Sequence, residues 1–482
     1  MASVKEQLVS GITYTALSKY AGIAISLIVT GILARLISPS DFGIVAVASI
    51  LIIFFGILGD LGIAPAIVQN KELGRDEISG IFSFTIWSGI LLAVSFFLSS
   101  WAIADYYKNR QLLFICQLLS INLLFSAWNI VPNALLLQKK QFKFIAYRSL
   151  IIQAIGGTAA VVAAFSGAGI YALLVNPIFS SIIIFIVNYI KNPQELKATL
   201  GIDALRKIFS FSAYQFLFNI INYFSRSLDK LLIGKHMGLS MLGYYEKSYR
   251  LMMLPLENIT HVITPVMHPV FSELQHDFNN LSGSYLKIIK ILAFVGFSLS
   301  PFLWFDAEEL ILLIFGNQWG ASVPVFRILS LTVGIQIILS TSGSIFQAAN
   351  DTKNLFISGL LSSIITISGI LTGIFFFKTL EAVAWCICAA FFINFFQCYF
   401  LMYKVTFKMN MLPFWKQFSS PLTLCLILIF LLFLGSKIIE QLDLLIRFII
   451  KGFILISTVA AYIQLTGEFN IASRIKSVLT KQ

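Results

Sequence analysis

Ionisable side chains crowd one short stretch of an otherwise apolar chain. Arg226, Asp229, Lys230, Lys247, Arg250 and Glu257 all fall within NYFSRSLDKLLIGKHMGLSMLGYYEKSYRLMMLPLE, residues 222–257. The pattern reads as the end of one membrane helix, a tight turn and the start of the next. At membrane depth an ionisable side chain costs roughly 2.5–3.5 kcal/mol on insertion scales. Such groups persist where they face a bundle interior or a watery cavity, pair with one another, or meet a substrate. The chemistry this set offers is anion binding by Arg and Lys, with the carboxylates as pairing or proton-carrying partners.

Spacing sharpens the assignment. Arg226 stands at i to Asp229 at i+3 and Lys230 at i+4, so the three share one helix face. Arg226 lies about seven residues, roughly 10 Å, inside the outer end of its span, which is deep for snorkelling. The plainer alternative is an Arg226–Asp229 pair that only locks helix packing. Lys247 and Arg250, at i and i+3, stand in the first turns of the next span, where snorkelling is easier. Lys19 sits well inside the first span toward the cytoplasm and could meet phosphate there. Asp60 and Glu257 are candidates for pairing with these bases or for accepting a proton. His261 and His268 are seven residues apart on one helix; a proton-linked switch is conceivable at such residues, and hydrogen-bonded packing is the simpler role. Arg35 and Lys235, at helix ends, read as interfacial anchors. Asn122, Asn129 and Asn133 line one side of a helix, as sugar contacts or as interhelical hydrogen bonds.

These residues need a frame, and composition says what kind. Of 482 residues, 58% are hydrophobic and only 12% charged, with a mean hydropathy of +0.88. Soluble domains carry about 25% charged residues, so the chain is expected to be an all-α polytopic membrane protein. Apolar runs long enough to span, about 20 residues each, fall near 11–37, 42–68, 80–103, 113–137, 144–166, 170–190, 207–233, 244–271, 286–305, 322–347, 355–377, 381–403, 416–435 and 445–465. That makes about 14 transmembrane helices. The segment 306–320, DAEELILLIFGNQWG, is too short to span and is expected at an interface. The N-terminal MASVKEQLVSGITYTALSKY lacks a compact apolar core followed by a small-residue cleavage site, and is expected to be a retained start to the first span.

The net charge of +12 invites a nucleic-acid partner, but the positions of the bases explain it better. With the N-terminus in the cytoplasm, the inside loops hold Lys139, Lys140, Lys143, Arg148, Lys191, Lys197, Arg206, Lys207 and others. The outside loops hold only Lys108, Arg110, Lys235, Lys378 and Lys437, a bias of roughly four to one that puts both termini inside. Arg447 and Lys451 fit this scheme poorly, since they fall in the outer half of the last span. No nucleic-acid partner is expected.

An internal repeat shows at an offset of 200 residues. Tyr14 matches Tyr214, Ser40 matches Ser240, Gly43 matches Gly243 and Pro65 matches Pro265. Six helices lie within the offset, so both halves insert in the same orientation, an arrangement that places a substrate site at the interface of two lobes. The expected division is an N-terminal lobe, 1–200, a C-terminal lobe, 201–409, and a pair of further helices with a tail, 410–482.

Several signals are missing. There is no G-x-x-x-x-G-K-[ST] loop, and Gly167-x-Gly169 is turn chemistry rather than a dinucleotide fingerprint. The five Cys lie in apolar runs without metal or redox spacing, and no cofactor or metal is expected. No Asp-x-Asp, H-E-x-x-H or large extracytoplasmic domain offers enzymatic chemistry, so an enzyme is not expected.

Taken in order, SGITYTALSKY, LARLISPSDFGIVAVA, DLGIAPAIVQNKEL, NALLLQKKQFKF, GAGIYALL, SRSLDKLLIGKHMGLSMLGYY, HPVFSELQHDF, LLIFGNQWGASVPVFRILS and FQAANDTKN resemble the lipid-linked oligosaccharide (Wzx-type) flippases of the polysaccharide-transporter family. These belong to the multidrug/oligosaccharidyl-lipid/polysaccharide exporter superfamily, and the likeness is to its colanic-acid and teichuronic-acid exporter branch. The resemblance covers roughly residues 10–360. It implies two six-helix lobes plus two helices, alternating access around a basic cavity in the bacterial cytoplasmic membrane, and an undecaprenyl-diphosphate-linked oligosaccharide as substrate. Membrane lipids and polysaccharide polymerase machinery are the implied partners. The diphosphate would meet Lys19, Arg226, Lys230, Lys247 and Arg250, which agrees with the charge argument because a diphosphate needs cationic partners in low dielectric. A cation-coupled multidrug exporter of the same superfamily and a membrane O-antigen polymerase or ligase are the alternatives.

Overall fold

The computed structural model describes residues 4–70, 72–197, 223, 227–275 and 277–468, with only the backbone described for 4–16, 261–266 and 268–270. Among the described residues every regular element is a helix. Among those residues eleven helices are long and apolar enough to cross a membrane, or twelve if a bent pair, Ser322–Ser330 with Val333–Ala348 at 49°, counts as one span. The chain is a multi-pass membrane protein. Two of the fourteen expected spans stand outside that count. The run 207–233 lies mostly outside the described residues. The run 244–271 is seen as the long helix Leu239–Ser272, whose charges lower its hydropathy.

The chain divides into two compact units, Met1–Gly243 with Ile314–Gln318, and Tyr244–Leu313 with Trp319–Gln482. The first holds α1 (Val4–Leu36), α2 (Pro39–Asp60), the short α3 (Ile63–Gln69), α4 (Arg75–Tyr107), α5 (Arg110–Trp128), α6 (Ile130–Gln138), α7 (Phe142–Phe165), α8 (Ala172–Lys191) and α9, described over 227–236. Its boundaries follow from local chemistry. Pro39 opens α2, where its missing N–H costs nothing, while the Ser38 hydroxyl accepts from the Asp41 N–H. Asn109 caps α5 by accepting from Gln111 and Leu112. One core packs Ile67, Phe82, Val131 and Leu135 between α3, α4 and α6. Another packs Leu33 and Ile37 against Ala160 and Ala172.

The second unit is built on α10 (Leu239–Ser272, from Tyr244 onward), α11 (Phe278–Phe305), α12 (Ala307–Phe315, as far as Leu313), α13 (Ser322–Ser330), α14 (Val333–Leu339), α15 (Ser342–Ala348), α16 (Thr352–Leu371), α17 (Leu380–Phe400), α18 (Leu412–Lys416), α19 (Ser419–Ile438) and α20 (Leu444–Thr466). α16 and α17 each run on into a π-helical turn, Thr372–Phe377 and Leu401–Thr406. The fully buried Tyr285 hydroxyl bonds Thr341 Oγ1 at 2.9 Å and the Tyr399 hydroxyl at 2.8 Å. Phe294, Leu424 and Leu428 form a smaller core against which Leu455, Val459 and Tyr462 of α20 pack. The segment 306–320, expected as an interfacial piece, forms α12 and a 3-10 turn, Asn317–Trp319.

Candidate functional site

The charged hairpin of the sequence falls on α9 and α10. In the first unit, α9 is fastened to the end of α4. The Tyr107 hydroxyl donates to the Leu231 carbonyl at 3.1 Å. Lys235 donates to the Tyr106 carbonyl, and its ammonium stands 4.0 Å from the centroid of the Tyr106 ring, a cation–π contact. Lys235 is therefore an anchor. One turn earlier, Asp229 is buried and Lys230 half-buried. Arg226, expected on the same face, lies outside the described residues. The Tyr223 hydroxyl donates to the Ile50 carbonyl on α2, which brings the approach to α9 against α2.

Lys19 is half-buried on α1, next to Ser18, whose hydroxyl donates to the Ala146 carbonyl on α7 at 3.2 Å. Asp60, the last residue of α2, is half-buried, and its Oδ1 accepts from the Ala64 N–H at 3.4 Å. It thus serves the N-terminus of α3, a capping contact.

In the second unit, α10 sorts its charges onto two sides. Lys247 is buried, with its ammonium 5.8 Å from the centroid of the fully buried Trp319 ring. Beside it Ser248 donates to the Ser322 carbonyl at 2.8 Å, and Ser322 donates to the Tyr244 carbonyl at 3.0 Å. Farther along, the Thr260 hydroxyl donates to Ser340 Oγ at 2.9 Å. This side of α10 lies against α13 and the helix breaks that follow it. Arg250 and Glu257, seven residues apart and so on one stripe, are both exposed. His261 lies on the described backbone of α10, and its side chain lies outside what is described. The structure thus keeps Lys247 in a packed polar seam and leaves Arg250 and Glu257 exposed.

Sequence reasoning missed a second set of charges. Arg447 and Lys451 of α20 meet the acidic start of α12: Lys451 pairs with Glu309 at 2.8 Å, and Arg447 stands 3.4 Å from Glu309 and 3.9 Å from Glu308. The signal was present as two unexplained bases, but their partners lie about 140 residues earlier. Arg148 was counted as a loop charge; it is buried and donates to Asn188 Oδ1, while Asn188 donates to Asn129 Oδ1 at 2.7 Å. Asn122 donates to the Pro177 carbonyl at 2.8 Å. Asn122 and Asn129 therefore form hydrogen bonds between helices. Among the described residues no group of three or more His, Cys, Asp or Glu could hold a metal ion.

Known proteins place this architecture. The fold is similar to the lipid II flippase MurJ in its inward closed conformation, with a TM-score of 0.72, 14% identity, and 94% of this chain and 98% of that chain covered. It is also similar to an inward-facing multidrug resistance transporter of the MATE family, at a TM-score of 0.58, 16% identity, and 78% and 94% covered. In sequence it is 23% identical to the teichuronic acid biosynthesis protein TuaB of Bacillus subtilis over 87% of each chain. It is 25% identical to the lipopolysaccharide biosynthesis protein WzxC of Escherichia coli over 72% of this chain and 71% of that protein. The polysaccharide biosynthesis protein family matches residues 32–324, more than half of the sequence and all of the charged hairpin, and the chain belongs to that family.

Proposed function

We propose that the protein is a flippase that carries polyprenyl-diphosphate-linked oligosaccharide repeat units across the cytoplasmic membrane for the synthesis of a surface polysaccharide. The observation that carries this reading is the family match over 32–324 on a fold shared with a lipid II flippase. Both six-helix lobes, 1–200 and 201–409, would move about a central basic cavity by alternating access, with 410–482 supplying two further helices and the tail. The diphosphate would meet Lys19, Arg226, Lys230, Lys247 and Arg250, because charge-assisted hydrogen bonds to phosphate are strong in low dielectric. Asp60, Asp229, Glu257 and His261 would balance these charges or carry a coupling proton. Both termini would face the cytoplasm, by the loop charge bias. The polyprenyl tail would stay among membrane lipids, and the delivered unit would pass to a polymerase.

The test is direct. Purified protein is reconstituted into vesicles that carry a fluorescent lipid-linked oligosaccharide, and a membrane-impermeant quencher reads the fraction facing out. Protein-dependent equilibration of the label is expected. Vesicles in which the protected fraction stays as in protein-free controls, for several sugar compositions, would count against a flippase.

A further inference from the structure

Lys451 alone among the residues of α20 is buried. Its ammonium donates to the Phe305 carbonyl oxygen and to Glu309 Oε1, each at 2.8 Å. Glu309 Oε1 also faces Arg447 Nε at 3.4 Å, so this one oxygen serves two cations. Asp306, at the junction of α11 and α12, is completely buried, and neither of its carboxyl oxygens has a hydrogen-bond partner. Its nearest cation is Lys451, 3.9 Å from Oδ1.

Charge balance gives the reason to single out Asp306. Glu308 and Glu309 offset Arg447 and Lys451. An ionised Asp306 would add a buried negative charge that no hydrogen bond satisfies, and such groups neutralise by taking up a proton. A metal ion is a poor substitute, because the Lys451 ammonium already occupies the space between the two carboxylates.

We propose that Asp306 is a proton-binding site, and that loss of its proton sets it in competition with Glu309 for Lys451, the buried anchor of the last helix. Three charged groups act on it from the elements around it: Glu309 on α12, and Arg447 and Lys451 on α20. Asp306 lies one residue beyond the span Phe278–Phe305. Burial pushes its carboxyl up to about 8; Lys451 and Arg447 pull it down, and Glu309 pushes it further up. The proton would therefore exchange close to neutral pH.

The experiment uses the full-length purified protein and needs no transport, so its result is independent of the substrate. Infrared difference spectra are taken from about pH 6 to about pH 10, across the titration range of such a carboxyl. A carboxylic-acid C=O band that is sensitive to deuterium exchange should vanish as pH rises, and Asp306→Asn should lack it. Lys451→Met should shift the midpoint of that band to higher pH, because it removes the cation that favours the ionised form; this variant also serves as the readout should Asp306→Asn fail to fold. A band unchanged in Asp306→Asn, or a midpoint that Lys451→Met leaves in place or lowers, would overturn the assignment.

Discussion

Gly43 and Gly243 meet where the first turns of α2 and α10 cross. A Cβ on Gly43 would overlap the Leu239 carbonyl oxygen and lie 3.2 Å from the Gly243 nitrogen. A Cβ on Gly243 would overlap the Pro39 carbonyl oxygen and lie 3.4 Å from the Gly43 nitrogen. The contact is reciprocal, 43 to 239 and 243 to 39, at the 200-residue offset that pairs these glycines in the sequence.

That crossing should not tolerate a methyl group. Gly43→Ala and Gly243→Ala would each press on a carbonyl that belongs to a helix backbone and cannot rotate away. Overpacking of this kind costs about 1–3 kcal/mol or more. Thermal unfolding in detergent should show both variants markedly weakened. Gly283→Ala, on α11 with nothing within 4 Å of the new atom, should match or exceed wild type, by about 0.4–1 kcal/mol. Equal stability of all three variants would dissolve the claim of a tight crossing.

Lys451 should matter to stability out of proportion to the rest of α20. Removing one partner of a buried ion pair leaves the other charge uncompensated, at a cost of about 3–5 kcal/mol. Lys451→Ala should therefore lower the unfolding temperature strongly. Pairing it with Glu309→Leu should recover part of the loss, because both charges are then gone. The same double-mutant comparison on the surface pair Lys197–Asp76, 2.6 Å apart, should show almost nothing.

The helices were legible because apolar runs of spanning length leave the backbone few other options in lipid. The spans near 80–103 and 445–465 appear as α4 and α20. Partnerships across long sequence separations were not legible. Lys451 and Glu309 stand 142 residues apart, and nothing local to either names the other. Burial of single charges was equally hidden: Lys247 and Arg250 look alike at i and i+3, yet one lies under Trp319 and the other is exposed. Asp60 read as a partner for bases, and its Oδ1 also accepts a backbone N–H in the turn between α2 and α3, a contact the sequence did not announce. Such an assignment depends on where the next helix begins, which hydropathy locates only loosely.

Asp351 gives a prediction on the acid side. It precedes α16 and accepts from the Asn354 N–H at 3.0 Å, from the Asn354 side chain at 2.7 Å and from the Thr406 hydroxyl at 2.7 Å. Partial burial alone would raise its carboxyl. The hydrogen bonds from Thr406 and Asn354, with Lys353 nearby, outweigh that and hold it below the ordinary aspartate range. A depressed folded-state value contributes stability above the unfolded value, near pH 4, and that contribution is lost as pH falls through the folded value. Wild type should therefore exceed Asp351→Ala in unfolding temperature above about pH 5, and the gap should narrow below about pH 4. A gap that stays constant with pH would mean that the contact is not ionic.

Membrane orientation is open to labelling. With single cysteines on an otherwise Cys-free background, an impermeant thiol reagent applied to intact cells should reach positions 108 and 437. It should reach position 139, the 191–207 segment and the tail only after permeabilisation. Reaction of the 191–207 segment in intact cells would reverse the orientation drawn from the loop charges, and would undo the parallel insertion of the two halves.

The basic face of α9 is the most demanding test of the transport reading. Lys230 is half-buried beside buried Asp229, and the sequence spacing, i to Asp229 at i+3 and Lys230 at i+4, is the ground for expecting Arg226 to share their face. Bases at that depth are suited to an anion, because charge-assisted hydrogen bonds to it are strong in low dielectric. A diphosphate supplies that anion, and the planar Arg fork can hold it by two parallel hydrogen bonds. Arg226→Ala and Lys230→Ala should each cut oligosaccharide export strongly at normal expression. Arg226→Lys should recover only part, since a point charge replaces the fork. A packing lock predicts otherwise: Arg226→Ala and Asp229→Ala would both lower the amount of folded protein, and export per folded molecule would hold. Export at wild-type rate by a well-expressed Arg226→Ala/Lys230→Ala double mutant would remove α9 from the substrate path and leave Lys247, Arg250 and Lys19 to carry the anion.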